Sequence, residues 1–193
     1  MAAGNSMNGE NHLVPRRLFF GIMPPDYIRG KLMELRTADA PLSWIAPERL
    51  HLTLRFFGET DYATAETLIE EAARFKTKRF MLEVGGVGVF PGMRNPRVLH
   101  AGLGSGHPHL FGLQTQLENL AVGLGFEVSG SRYTPHITVA RCGPGAQEAV
   151  RQWLKEYQDF ASAPFLVDRF LLLQSRSGPG GVNYQPVAAF PLE

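Results

Sequence analysis

Within PERLHLTLRFFGE (47–59), residues 50–59 read as a β-strand, stopped by Gly58, that carries a histidine and a threonine opposite its leucines. Successive side chains of a strand point to opposite faces, so His51 and Thr53 share one face while Leu52 and Leu54 share the other. The pattern returns 85 positions later in RYTPHITVAR (132–141), where His136 and Thr138 stand opposite Ile137 and Val139. Six histidines and nine threonines in 193 residues give about 0.3 H-x-T pairs by composition alone. Two occur, both inside apolar strand-like runs. A single such histidine reads as a satisfied core imidazole; a matched pair reads as one site built from a repeat.

The flanking sequence repeats in the same order. RRLFFGIM (16–23) is strand-like, and PPDYIRGKLMEL (24–35) has prolines at its start and helical spacing of Tyr27, Ile28, Leu32 and Leu35. After the first motif strand (50–59) come a helix at 62–75 and strands at 80–90 and 97–103, the latter two joined by PGMRNP. A helix at 109–124 opens the second half, followed by the strand at 134–141 and a helix at 145–157. Strands at 165–176 and 183–192 close it around SGPGG. Each half thus runs helix, H-x-T strand, helix, two strands. Hairpin-like strand pairs interleaved with helices predict an α+β fold, bilobal, with two pseudo-symmetric lobes, each a mainly antiparallel sheet with helices, and an active-site cleft between them. Residues 1–15 read as a disordered leader or tag and 16–193 as a single bilobal domain.

Composition is that of an ordinary soluble globular chain, 44% hydrophobic and 19% charged. It has no apolar run long enough to span a bilayer, and the first fifteen residues lack the apolar core of a secretory signal. Cys142 is the sole cysteine, which excludes an intrachain disulfide, fits the cytoplasm and reads as an inert small residue. The net charge of +1 is uninformative, but fifteen of nineteen basic residues are arginine, whose planar fork suits phosphate.

Two imidazoles and two hydroxyls suit displacement at phosphorus. One oxygen must lose a proton while another, roughly in line, gains one, and imidazole serves either duty near neutral pH. Thr53 and Thr138 can donate to the equatorial phosphate oxygens, where transition-state charge gathers. Arg141 can neutralise that charge, although strict alternation puts it on the Ile137/Val139 face. It reaches the phosphate only if the strand twists or ends there. Tyr133 and Trp44 flank the motifs and are candidates for stacking on a base, Tyr133 the better placed. His100, His107 and His109 lack the fixed spacing of a metal site, and the glycines of VGGVGV (84–89) read as a strand bulge or close packing rather than a dinucleotide loop. No cofactor or metal is expected.

At PERLHLTLRFFGE and RYTPHITVAR the chain resembles the two-histidine (2H) phosphoesterases, and within them the RNA 2′,3′-cyclic phosphodiesterases, also called 2′-5′ RNA ligases. The likeness runs from RRLFFGI to YQPVAAFPL. It implies metal-independent hydrolysis of RNA 2′,3′-cyclic phosphate ends to 2′-phosphate, with His51 as general acid, His136 as general base, and Thr53, Thr138 and Arg141 binding phosphate. Its expected partners are RNA ends or small nucleotides bearing a cyclic phosphate, met by a monomer. His100 departs from the pattern, since relatives often have an aromatic there. Two alternatives remain open: a related activity (2′-5′ linkage cleavage, RNA end ligation, opening of small cyclic phosphates), or a non-catalytic nucleotide-binding module.

Overall fold

The computed structural model describes residues 16–193 except 40, 105, 106, 131, 179 and 180. The expected leader over 1–15 lies outside the described residues, as does the middle of the SGPGG turn. In chain order the first half contains β1 (Arg16–Ile22), α1 (Asp26–Met33), β2 (Leu42–Trp44), a 3-10 turn (Pro47–Arg49), β3 (Leu52–Thr60), α2 (Tyr62–Ala72), β4 (Phe80–Leu82), β5 (Val84–Phe90) and β6 (Val98–Leu103). The second half contains α3 (Pro108–Gly123), β7 (His136–Cys142), α4 (Gln147–Glu156), β8 (Phe165–Val167), β9 (Arg169–Gly178) and β10 (Gly181–Pro191). The fold is α+β and every strand pairing is antiparallel.

One large sheet runs β10-β9-β1-β3-β7-β6-β5, with β2 on the outer half of β7, and β4 and β8 form a separate two-stranded sheet. The large sheet has two wings joined at a narrow seam, where β3 meets β7 through the register pair Leu52 and Ile137. In the small sheet Met81 is paired with Leu166. Both pairs are 85 positions apart in sequence, so repeat-equivalent residues face each other twice, as they do across a pseudo-two-fold axis. Each wing draws on both halves of the chain: the β5–β6 hairpin lies beside β7, and the β9–β10 hairpin lies beside β1.

Two expected strands are broken. The run at 80–90 divides at Glu83 and that at 165–176 at Asp168. These are again repeat-equivalent acids, and each releases a three-residue strand that pairs with the other in the small sheet. The sequence reading also missed β2 and the 3-10 turn, which are too short to show periodicity.

The core lies against the helices. Leu18, Phe20 and Ile22 of β1 and Leu52 and Leu54 of β3 are buried on that side, with Leu110, Leu113, Leu117 and Ala121 of α3 and Trp153 of α4. The α3 residues recur at three- and four-residue steps, the stripe of an amphipathic helix. Each buried leucine is worth about 1.5–3 kcal/mol. Asp61 caps α2 by accepting from the Thr64 amide at 2.9 Å. Trp153 donates to the Leu35 carbonyl at 2.8 Å and tethers α4 to the end of α1. None of the described helices is long and apolar enough to cross a membrane.

Candidate active site

The seam assembles the motif residues. With Leu52 opposite Ile137 in an antiparallel pair, His51 comes beside Thr138 and Thr53 beside His136. The aliphatic pair points into the core, both nearly fully buried. The four polar side chains are half-buried on the other side of the sheet.

Both histidines are held in the same way. Nδ1 of His51 lies 2.7 Å from the Arg49 carbonyl, and Nδ1 of His136 lies 2.8 Å from the Thr134 carbonyl. A carbonyl oxygen only accepts, so Nδ1 carries the proton in both rings and Nε2 is left as the free nitrogen. Each ring is wedged between two others. His51 meets Phe19 and Tyr184 at 4.9 and 4.8 Å; His136 meets Phe90 and His100 at 4.9 and 5.2 Å. Burial holds His51 below the ordinary imidazole range, opposed by the Arg49 carbonyl, with the charge of His136 adding to the depression.

Arg141 reaches the motif face because β7 is bulged. In the pairing with β6, Leu99 faces Ala140 and His100 faces Thr138, which leaves Val139 as an extra residue. One added residue resets the alternation. Val139 and Ala140 are both buried, Arg141 is exposed, and Arg141 lines the same cleft as His51, Thr53 and Thr138. The first motif carries the matching bulge: against β1, Arg55 faces Phe20 and Thr53 faces Gly21, with Leu54 extra. There the reset places Phe56 on the cleft side, 45% exposed, while Arg55 turns to Glu118 of α3 at 3.1 Å. The pseudo-symmetric site is therefore chemically lopsided, with arginine after one motif and phenylalanine after the other.

Two hollows meet at Thr53 and Phe56. One, about 320 Å³, is lined by His51, Thr138, Arg141, Arg17, Arg49 and Tyr184 among others. The second, about 540 Å³, lies on the His136 side and is lined by Phe56, Phe90, Arg132 and Tyr133 among others. Tyr133 is pinned, its hydroxyl donating to the Thr53 carbonyl at 3.0 Å, and burial raises its pKa. Trp44 is a packing residue: its indole donates to the Thr37 carbonyl at 3.0 Å and the ring packs on Trp153.

The remaining candidates fall away from the cleft. His107 caps α3, its Nδ1 accepting from the His109 amide at 3.2 Å, and its ring stacks on Phe80. Among the described residues no group of three or more His, Cys, Asp and Glu side chains is placed to hold a metal. Burial raises the Cys142 thiol pKa, which disfavours the nucleophilic thiolate. In VGGVGV the register of β5 shifts between Val84 and Val87, and Gly86 has φ 71°, so these glycines make a bulge. Sequence reasoning missed four cleft residues: Arg17 and Tyr184 arrive through long-range strand pairing, Phe56 through the bulge at Leu54, and Arg49 from the 3-10 turn just before His51.

The model of the 2′-5′ RNA ligase superfamily matches residues 24–179. An RNA 2′,3′-cyclic phosphodiesterase of Aeropyrum pernix is 32% identical over 158 residues, 78% of this chain and 90% of that one. The RNA 2′,3′-cyclic phosphodiesterase of Escherichia coli is 29% identical over 92% of this chain and 97% of its own. The crystal structure of E. coli LigT complexed with 3′-AMP superposes with a TM-score of 0.78 at 26% identity, covering 92% of this chain and 98% of that one.

Proposed function

The chain belongs to the 2′-5′ RNA ligase superfamily, and from that premise we propose that it is an RNA 2′,3′-cyclic phosphodiesterase that leaves a 2′-phosphate. The observation that carries this reading is the matched pair of imidazoles on adjacent strands beside two threonines, each with Nδ1 bonded to a carbonyl and with no hydrogen bond on Nε2 among the described residues. Relatives of that name support the substrate.

In this mechanism Nε2 of His136 takes a proton from water as the water oxygen attacks phosphorus. The bond from phosphorus to the ribose 3′ oxygen breaks, and Nε2–H of His51 delivers a proton to that oxygen. The product is a 2′-phosphomonoester with a free 3′ hydroxyl. Thr53, Thr138 and Arg141 hold the equatorial oxygens. Burial makes the His51 imidazolium a stronger proton donor but reduces its population near neutrality, and an anionic phosphate in the cleft restores that population. Every proton is moved by a side chain, so the reading requires no metal. The chain supplies both histidines itself, which supports action as a monomer with 16–193 as one bilobal domain, and its single cysteine fits the cytoplasm.

The test is purified protein on RNA ending in a 2′,3′-cyclic phosphate, with EDTA present and the 2′- and 3′-phosphate products resolved. A 2′-phosphate product is expected. No turnover, or a 3′-phosphate, overturns the reading. One observation favours a second activity, joining or cleaving 2′-5′ linkages: the aromatic hollow beside His136 has about 540 Å³, far more than a water needs. Adding an RNA with a 5′ hydroxyl to the same assay and looking for joined product tests it.

A further inference from the structure

The polar hollow extends beyond what one phosphate requires. From the motif residues it runs past Arg49 and Tyr184 to Ser175, Ser177 and Arg17, and among the described residues none that lines it is acidic. Arg17 is four residues before Gly21, the β1 partner of Thr53, so its backbone lies about 13 Å from the motif row at ~3.3 Å per residue. Its side chain folds back toward the cleft, with the guanidinium 5.7 Å from the centre of the Phe56 ring. Ser175 is the β9 partner of Arg17, and Tyr184 the β10 partner of Ser175. A row of donors thus crosses three strands.

The charge on this row is uncompensated. Arg29, Arg55, Arg74, Arg151 and Arg169 are each paired with a carboxylate. Among the described residues Arg17, Arg49 and Arg141 make no such pair, even though Glu59 is Arg17's register partner on β3. Arg49 spends one N–H on the Val182 carbonyl at 3.1 Å, which fixes its head at the rim. Tyr184 packs edge-on against His51, so the row begins at the ring assigned to the departing 3′ oxygen. In the proposed mechanism the ribose and the strand leading to it therefore lie on that side.

We propose that Arg17, Arg49, Ser175 and Ser177 form a second phosphate subsite, which holds the phosphodiester immediately 5′ of the cyclic end. The inference rests on the cyclic phosphodiesterase reading. A phosphodiester offers two anionic oxygens, which suit guanidinium forks and serine hydroxyls. Contacts to the backbone alone carry no base information, so the subsite accepts any penultimate base.

The experiment compares three substrates with the intact protein: a nucleoside 2′,3′-cyclic phosphate, a dinucleotide with the same cyclic end, and that dinucleotide with a neutral methylphosphonate linkage. The charged dinucleotide is expected to exceed the other two in kcat/KM by about tenfold or more, the scale of one hydrogen bond to a charged group. In Arg17→Gln the ratio of charged to neutral dinucleotide should collapse toward one, with thermal unfolding measured alongside. Equal kcat/KM for all three in the wild type overturns the subsite and spares the phosphodiesterase reading, as does a charge preference that survives in Arg17→Gln. Turnover of none of the three overturns both.

Discussion

Leu52 and Ile137 face each other as the register pair that joins β3 to β7, and their neighbours inherit its geometry. Antiparallel pairing at that point sets each histidine beside the other strand's threonine. The arrangement is symmetric in backbone and asymmetric in what surrounds it: Phe19 and Tyr184 wedge His51, while Phe90 and His100 wedge His136. Two identically tied imidazoles therefore sit in different surroundings.

The two histidines should separate by leaving group. If His51 protonates the departing oxygen, His51→Ala recovers rate on a phosphodiester with a nitrophenolate leaving group, which departs without a proton. His136→Ala gains nothing from that change, because it lacks the base. Thr53→Ala and Thr138→Ala slow both substrates by about 10- to 150-fold, the range for a hydrogen bond to a charged group. Rescue of His136→Ala instead of His51→Ala would mean the roles are exchanged.

The pH dependence follows from the depressed His51. Burial first and His136 second favour its neutral form, so the imidazolium is lost as pH rises through a value below about 6.5. The alkaline limb of kcat/KM, which reports the free enzyme, should fall there, and the limb of kcat should move upward because bound phosphate stabilises the cation. Removing a positive neighbour has the same sign. In His136→Asn the His51 ring, followed by NMR, should titrate at higher pH than in the wild type. An unchanged midpoint would show that the two rings do not interact, and a lower one that the charge of His136 is not what depresses His51.

Arg141 stands on the cleft side through the Val139 bulge, with no carboxylate pairing it among the described residues. Arg141→Gln should lower kcat/KM by about 10- to 150-fold on every cyclic phosphate. Arg141→Lys should recover only part, because an ammonium lacks the planar fork. A fully active Arg141→Gln would remove Arg141 from the phosphate site.

Period-two alternation was enough to read the motif face, the core face and the α+β class, because those depend on neighbours in sequence. The bulges after Thr53 and Thr138 were not legible, since an extra residue in one strand is defined only by the register of its partner. Strict alternation placed Arg141 wrongly for that reason, and it gave no hint of Phe56. The exchange of hairpins between wings was hidden as well. It brings Tyr184 against His51 from 133 positions away, and no local pattern encodes that contact. The breaks at Glu83 and Asp168 are visible in retrospect as FMLEV and FLVDR, acids at matching places in the repeat.

The His100 ring stacks on Phe90 at 4.1 Å, and its Nδ1 is buried with no hydrogen-bond partner among the described residues. Space for the ring comes from Gly88 on the neighbouring strand: a Cβ there would lie 2.5 Å from His100 Nε2. Gly88→Ala should therefore destabilise the protein by about 1–3 kcal/mol, the usual scale of overpacking. In a His100→Ala background the same change should cost less, a coupling measurable by a double-mutant cycle in urea. The ring also sets a pH dependence. Burial and His136 push its pKa down to about 4, so between the unfolded value near 6.5 and that level the unfolded chain binds a proton the native protein does not. Stability attributable to His100 is then full above about pH 6.5 and declines as pH falls toward 4, by about 1–2 kcal/mol once solvent screening is allowed for. His100→Phe lacks this loss, so its unfolding free energy relative to wild type should improve between pH 7 and pH 4.5. A constant difference across that range would mean that the native His100 ring takes up its proton as readily as the unfolded one.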